Sequence, residues 1–433
     1  MRGPRKPRAQ WRKAPSTLTL GGASVSESRL RNGLRVIVAE RHTDPVVASL
    51  LMYKVGSRYE SEVEAGVSHF LEHMMFKGTP SIGKGEVDRI TTELGGHNNA
   101  FTSYDHTGYW FEMASDRWEG VLGIEADRMQ NLELDPREFD SERNVVLEEL
   151  AMSEDDPWRV LTQKVQTAMF PRHSYRWPVI GYPDTLVPLT VEDMRRHYER
   201  FYHPSNATLV ISGDVKKRAA LAAARKHFGE IPAGEEVTRR PYGSFLEPDG
   251  ETRLNMSWED AAKRLCISWP TNSVCTDDDY TLDLVTTLLA QGRNSRLQRR
   301  LVLDEGLATS ISISNECWVD GGSFWILAEC SQGTAPERLE QAIEEELRRL
   351  ATEKVPAAEL KRARSILLAS EAYDCETVSD LGDEIAEFAI DADWRLAFDG
   401  GARHALVTSA RIKECVQRLL SPERRVVGWC LPR

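Results

Sequence analysis

The feature that most limits the possible folds is a repeat in which matching elements recur 218 residues apart. Thr190 caps a predicted helix and Pro204 ends it, while Thr408 and Pro422 take the same two places in a second copy. A mostly apolar strand follows each proline. A cap, a stop and a strand that recur at one spacing indicate a duplicated domain.

The length of 433 residues is enough for two domains of similar size. We predict an α+β fold of two duplicated αβ domains, each a mostly antiparallel sheet with helices packed on one face. The predicted organisation is a disordered basic arm at 1–24, a first domain at 25–228, a linker rich in proline and glycine at 229–250, and a homologous second domain at 251–433.

Charge and hydropathy exclude several classes of function. The net charge of −12 argues against nucleic acid or an anionic membrane as the main partner, because both attract basic surfaces. No stretch approaches the roughly 18 apolar residues of a membrane span. The basic arm at the N-terminus does not have the pattern of a targeting signal. It lacks the apolar segment of a secretory signal, and its prolines would break the helix of a transit peptide. We therefore expect a cytoplasmic protein.

The seven cysteines all lie in the second half of the chain. Their number is odd and no Cys-x-x-Cys occurs, so they are typical of buried thiols in a reducing compartment.

The strongest chemical motif is His69-x-x-Glu72-His73. On a helix these three side chains share one face. Two imidazoles at this spacing can bind one zinc ion, with the glutamate placed to act on a water molecule. The alternative is an amphipathic helix that happens to carry two histidines.

A second helix is predicted from its cap at Asp135 to about residue 152. Glu142 and Glu149 fall near its apolar face, whereas Glu148 points the opposite way. A carboxylate on a buried face needs a positive partner, since burying it unpaired costs several kcal/mol. A zinc ion would satisfy this need, and so would a pair of arginines.

Between these helices, residues 95–114 indicate a hairpin whose first strand is short, polar and rich in small residues, as an edge strand would be. Asn99, Ala100, Phe101 and Thr102 lie on that strand. An exposed edge can pair with an extended peptide. A protected edge without a ligand is the alternative.

The second copy of the motif helix carries Asp283, Thr286 and Thr287 where the first carries its two histidines and glutamate. The second domain is therefore predicted to lack a zinc site.

Over residues 25–433 the chain resembles the pitrilysin-like inverted-zincin metallopeptidases, in particular the bacterial branch similar to the mitochondrial processing peptidase. The resemblance rests on four segments in family order: 69–79, 95–102, 142–149 and 206–215.

The resemblance implies one Zn²⁺ per chain, held by His69, His73 and Glu149, with Glu72 as the general base and Glu142 supporting the metal ligands. It further implies that residues 99–102 pair with peptide substrate, and that the two domains close as a clamshell around a chamber.

One departure concerns the arginine and tyrosine that the family's C-terminal domain usually offers to substrate. Val302 and Thr309 stand at those positions here. Valine has no donor and threonine is too short. Because some family branches split these functions between two subunits, we expect a homologous partner that carries the pair, as a heterodimer, although a homodimer remains an alternative.

Two other functions stay open on the sequence. The first is a non-catalytic assembly subunit that retains the peptidase fold, although such subunits usually lose zinc-site residues. The second is a zinc enzyme for small molecules, against which the edge strand argues.

Overall fold

The computed structural model of the protein describes residues 17–20, 22–237 and 250–433. Most of the predicted arm, residues 1–16, lies outside the described residues, as does most of the predicted linker, residues 238–249. Ordered structure nevertheless begins inside the segment predicted as an arm, because Thr17–Leu20 form a strand that pairs with the strand beginning at Ala23.

The first domain is built on a seven-stranded sheet in the order β1-β2-β3-β7-β4-β6-β5. Every neighbouring pair is antiparallel except β3 and β7. The strands are β1 (Thr17–Leu20), β2 (Ala23–Arg29), β3 (Arg35–Glu40), β4 (Val46–Tyr53), β5 (His97–Thr102), β6 (Thr107–Ala114) and β7 (Ala207–Gly213).

The second domain has a five-stranded sheet in the order β10-β11-β9-β12-β8. Its strands are β8 (Thr252–Trp258), β9 (Arg264–Thr271), β10 (Ala308–Cys317), β11 (Gly322–Cys330) and β12 (Val426–Pro432). Order and strand direction match β5-β6-β4-β7-β3 of the first sheet, including one parallel pair. The predicted pair of mostly antiparallel sheets of like fold is therefore confirmed.

Fourteen α-helices lie in the described part of the chain. They are α1 (Val67–Met74), α2 (Glu86–Glu93), α3 (Glu119–Asn131), α4 (Pro136–Glu154), α5 (Pro157–Met169), α6 (Pro183–Leu186), α7 (Val191–Phe201), α8 (Lys217–Phe228), α9 (Asp277–Ala290), α10 (Pro336–Thr352), α11 (Ala357–Tyr373), α12 (Val378–Asp391), α13 (Gly400–Leu406) and α14 (Ser409–Leu419). None is long and apolar enough to cross a membrane.

The caps that revealed the repeat are present in both copies. The Thr190 hydroxyl accepts a hydrogen bond from the Asp193 amide at 3.2 Å, and the Thr408 hydroxyl accepts one from the Arg411 amide at the same distance. Each hydroxyl satisfies an amide that the first helical turn would otherwise leave unpaired.

Strand β4 is buried on both faces, as its apolar run predicted. Leu51 and Tyr53 point into a core made with helices of the first domain. Leu50 and Met52 point into a second cluster on the opposite face of the sheet. The helix that completes this second cluster is α12, which belongs to the second half of the chain.

The two halves thus exchange helices. The domain's own helices cover one face of the first sheet, and α12 covers the other with Leu381 and Ile385. Reciprocally, α5 of the first half packs on the second sheet through Leu161 and Val165. The contact is close, because a Cβ added at Gly428 of β12 would lie 2.7 Å from a Val165 methyl. This exchange was not predicted from the sequence.

We predict that a cavity in α12 destabilises the first domain. Ile385 is completely buried against the first sheet, and its replacement by alanine should lower the free energy of unfolding by about 2–5 kcal/mol. In hydrogen exchange, amides of β4 and β7 should then exchange faster, although the substitution lies in the other half of the chain. Leu368→Ala, at a 61% exposed position of α11, is the control and should change neither measurement. Unchanged exchange in β4 and β7 would contradict the coupling.

Candidate metal centre

Helix α1 begins at a buried carboxylate. Glu60 accepts hydrogen bonds from the amides of Gly66 and Ser68 at 2.8 and 2.7 Å. Gly66 is required at the start of α1, because its φ is +98° and an added Cβ would meet a backbone oxygen at 2.6 Å. Burial raises the pKa of Glu60 to about 7, although both amides favour its charged form. These contacts fix the direction in which α1 leaves the loop.

On α1, the side chains of His69 and His73 lie side by side, with ring centroids 4.8 Å apart. Burial, together with the neighbouring His73, lowers the pKa of His69 to about 4. Its imidazole is therefore neutral near pH 7 and keeps a lone pair for a metal ion.

Helix α4 brings Glu149 to the two histidines. Its carboxylate oxygens lie 3.9 Å from Nε2 of His69 and 3.5 Å from Nε2 of His73. The contact between α1 and α4 is set by Phe70, whose ring stacks on Phe139 at 4.7 Å. Helix α4 begins at the predicted cap, where the Asp135 side chain accepts from the amide of Arg137 at 2.8 Å.

One ligand atom from each of His69, His73 and Glu149 lies within 4.8 Å of the other two. Within residues 17–20, 22–237 and 250–433 this is the one cluster that could hold a metal ion through three such side chains. Two imidazole nitrogens and one carboxylate oxygen form the donor set of a catalytic zinc site. The residues present therefore fit a zinc ion.

Glu142 lies behind His73, where its Oε1 is 2.9 Å from Nδ1 of the ring. Its other oxygen is 2.5 Å from Nζ of Lys77. Burial opposes the charge, but these hydrogen bonds from Lys77 and His73 outweigh it, so the pKa of Glu142 lies below its ordinary value. A charged Glu142 accepts a hydrogen bond from Nδ1–H of His73 and thereby leaves the Nε2 lone pair facing the cluster.

Glu72 projects from α1 towards β5. The Thr102 hydroxyl donates to Oε2 of Glu72 at 2.6 Å. Burial raises the pKa of Glu72, an effect that the Thr102 bond partly offsets. One carboxylate oxygen is thus fixed by β5, next to the cluster of metal-ligand atoms.

Strand β5 carries the residues predicted to bind peptide and is an edge strand within the described sheet. The Ala100 amide donates to the Asn99 side chain at 2.9 Å rather than to β6. This amide therefore points to the open side of the sheet. Phe101 packs on the opposite face from α1, against the cluster that contains α12.

The sequence reasoning missed Lys77 and Glu60. Lys77 follows His73 by four residues, a spacing that could have drawn attention to it. Glu60 lies in a loop and gave no such signal.

In the second domain, a histidine occupies the place between the helices that correspond to α1 and α4. By chain order these helices are α9 and α11. His404 lies with its Nε2 3.2 Å from Asp283 of α9 and its Nδ1 3.0 Å from Glu371 of α11. Burial lowers the pKa of His404, but the two carboxylates outweigh it and leave the pKa raised. The ring thus joins the two helices through one hydrogen-bonding contact to each.

Val302 and Thr309 belong to the second domain. Val302 packs against its hydrophobic core. Thr309 is exposed on β10, and its hydroxyl donates to the Glu329 side chain at 3.2 Å.

Two family models match the chain. "Insulinase (Peptidase family M16)" covers residues 35–181, and "Peptidase M16 inactive domain" covers residues 188–367. Among curated proteins, "Zinc protease PqqE" of Helicobacter pylori is 29% identical over 87% of each chain. An "Uncharacterized zinc protease" of Rickettsia felis is 30% identical over 83% of this chain and 86% of that protein.

Solved structures are similar over nearly the whole chain. A protease from Helicobacter pylori has a TM-score of 0.90 and 26% identity, and the match covers 94% of this chain and 99% of that one. A putative M16-like peptidase from Alicyclobacillus acidocaldarius has a TM-score of 0.85 at 22% identity over 95% and 99%. The periplasmic protease PqqL from Escherichia coli is matched over 94% of this chain but only 47% of its own length, at a TM-score of 0.78 and 21% identity. These matches confirm the predicted two-domain clamshell fold.

We predict that Lys77→Met weakens zinc binding, because Glu142 loses the cation that holds it in place behind His73. The affinity for Zn²⁺, measured by competition with a chromogenic chelator, should fall by about 10–100-fold. The matched control is Lys84→Met, which removes a 54% exposed lysine paired with Glu138. Equal affinities in the two variants would contradict the role of Lys77.

Proposed function

Because the chain belongs to peptidase family M16, we propose that it is a zinc-dependent endopeptidase that hydrolyses peptide bonds in peptides or unfolded segments held in a chamber. The observation that carries this proposal is the convergence of His69, His73 and Glu149 beside an edge strand, with Glu72 held between them and that strand. The pitrilysin-like resemblance and the names of the relatives point to the same chemistry.

In this proposal His69, His73 and Glu149 hold one zinc ion per chain. When bound, zinc would act as a Lewis acid that polarises the scissile carbonyl and makes water more acidic. Glu72 acts as the base towards the attacking water. The proton goes to Oε1 of Glu72, since Oε2 accepts the hydrogen bond from Thr102. Glu72 then delivers that proton to the leaving amine, the role of a general base that becomes a general acid.

Strand β5 would align the substrate by main-chain pairing at its open side. The outward Ala100 amide is available once the peptide displaces the Asn99 side chain. Alternate residues of a paired peptide then face α1 and the cluster around α12. Main-chain pairing does not depend on the identity of the substrate side chains, so it suits an enzyme for extended or unfolded segments.

The C-terminal domain supplies neither the arginine nor the tyrosine that the resemblance leads us to expect, since Val302 and Thr309 stand there. We propose that a homologous subunit provides them. The length of PqqL supports this proposal, because one copy of this chain accounts for 47% of it. Two subunits of this size would together have about the length of PqqL.

The rival function is a non-catalytic assembly subunit. It is favoured by the missing arginine and tyrosine and by the match of residues 188–367 to an "inactive domain". The intact cluster of zinc-binding side chains favours catalysis instead.

Replacing Glu72 by glutamine separates these functions. The amide cannot accept a proton, so hydrolysis of a quenched fluorescent peptide should fall by about 10²–10⁴-fold, while metal analysis still finds one zinc per chain. The matched control is Glu148→Gln on α4, which should keep full activity. A Glu72→Gln variant as active as the original chain would refute the assignment.

Activity should also depend on a partner. We predict that the chain alone cleaves peptides weakly and that addition of a homologous subunit carrying the arginine and tyrosine raises kcat/KM. Size-exclusion chromatography with peptidase assays of each fraction measures both properties. Full activity in strictly monomeric fractions would contradict the need for a partner.

A further inference from the structure

Strand β5 is short and is paired on one side only within the described sheet. If it aligns a peptide, its backbone must hold one position before the peptide arrives, because ordering a strand during binding reduces affinity. Pairing with β6, which is itself held by β4, fixes one side of β5, but no strand fixes its other side within the described sheet, so the remaining contacts of the hairpin also decide its position.

The face of the hairpin opposite α1 rests on an apolar cluster that α12 completes. Phe101 of β5 and Trp110 of β6 both pack against this cluster, to which α12 contributes Leu381 and Ile385. A helix of the C-terminal half, which itself lies on β4 and β7, thus helps to form the apolar surface beneath the strand that the proposed function assigns to substrate.

Polar contacts attach the hairpin to both ends of α12. Near its start, the Ser379 hydroxyl donates to Glu112 of β6. At its end, Asp391 lies 3.1 Å from Nδ1 of His106, in the turn between β5 and β6. The 12 steps along the helix from Ser379 to Asp391 span about 18 Å, and the six steps of extended chain from His106 to Glu112 span about 20 Å. Helix and hairpin therefore match in length between the two contacts.

The contact at Asp391 is buried, with side-chain exposures of 9% for His106 and 16% for Asp391. Burial lowers the pKa of His106, but Asp391, with Glu387 and Asp105 nearby, outweighs it and leaves that pKa raised. Oδ1 of Asp391 has no hydrogen-bond partner among the described residues. Removing the Asp391 carboxylate would leave Nδ1 of the buried His106 ring without this hydrogen-bond partner, which disfavours the contact.

We propose that α12 of the C-terminal half positions the substrate strand, through the His106–Asp391 and Glu112–Ser379 contacts and through its part in the apolar cluster against which Phe101 packs. The proposal rests on the endopeptidase function above. It makes Asp391 and Ser379 positioning residues, which act on peptide binding through β5 without touching the peptide or the metal.

Positioning β5 also affects Glu72, because Thr102 is the last residue of the strand and holds one oxygen of Glu72. A displaced strand should therefore weaken peptide binding most and slow the chemical step to a smaller extent. Zinc binding should not change, since its three ligands lie on α1 and α4.

The turn keeps a second attachment that α12 does not provide. Asp105 accepts a hydrogen bond from the Val319 amide at 2.9 Å and one from the Tyr175 hydroxyl at 3.0 Å. Loss of the Asp391 charge therefore leaves the two halves joined, so a variant reports the position of the strand rather than unfolding of the chain.

The experiment compares the full chain with its Asp391→Asn and Ser379→Ala variants and their combination. Asp383→Asn is the matched control, because it removes the same charge from an exposed position of α12. Asp391→Glu keeps a carboxylate, so its KM and the amide exchange of residues 97–106 should stay close to those of the original chain. Each protein, with zinc bound and any required partner subunit present, is assayed for kcat and KM, for zinc content and for amide exchange.

In the combined variant we expect kcat/KM to fall by roughly 10–100-fold, mostly through KM. Amides of residues 97–106 should exchange faster, while those of 67–75 and the zinc content stay unchanged. Unchanged exchange in residues 97–106 would overturn the proposal. Faster exchange in both segments with loss of zinc would also overturn it, because it shows a general structural role. If the original chain binds zinc but cleaves no peptide, the endopeptidase function fails, and the exchange data still decide whether α12 holds the strand.

Discussion

The candidate site depends on one buried carboxylate. Glu142 is only 8% exposed and lies between Lys77 and His73. A carboxylate in such a place must be paired, and its two partners lie at the end of α1 and just beyond it. The pairing therefore fixes α4 against α1 and at the same time sets the proton on His73. Stacking of Phe70 on Phe139 gives the same helix pair an apolar contact. Together these contacts bring Glu149 to the two histidines.

The second domain also has carboxylates between the corresponding helices, and there their partner is a histidine. Its two corresponding helices carry Asp283 and Glu371, and the imidazole of His404 lies between them. In the first domain, two imidazoles and one glutamate bring metal-ligating atoms together between α1 and α4. In the second, two carboxylates contact one imidazole, and they raise its pKa. The corresponding helices of the two domains are thus joined by imidazoles and carboxylates in both copies, although the residues differ.

Local patterns were enough to predict much of the fold and the candidate residues. Caps at Asp135 and Thr190, helical spacing around His69 and the polar first strand of the hairpin at 95–114 are signals within a few residues, and each corresponds to an observed element. The preference for Glu149 over Glu148 needed only helical geometry. The contacts of Lys77 and Glu60, and the packing of α12 under β4, depend on residues far apart in the chain or on loop conformation. Periodicity carries no information about which distant surface an apolar helix will cover.

The helix exchange also constrains the order in which the protein can be completed. The ribosome finishes β7 at Gly213, but the helix that covers the outer face of that sheet ends at Asp391, about 180 residues later. At about 5–20 residues per second, this interval lasts on the order of 10–40 s. Leu50 and Val210 remain without their helix during that time. The partner strand of α5, β12, is made later still, after α12. The nascent first domain therefore presents an apolar sheet face to chaperones or to neighbouring chains until α12 has been synthesised.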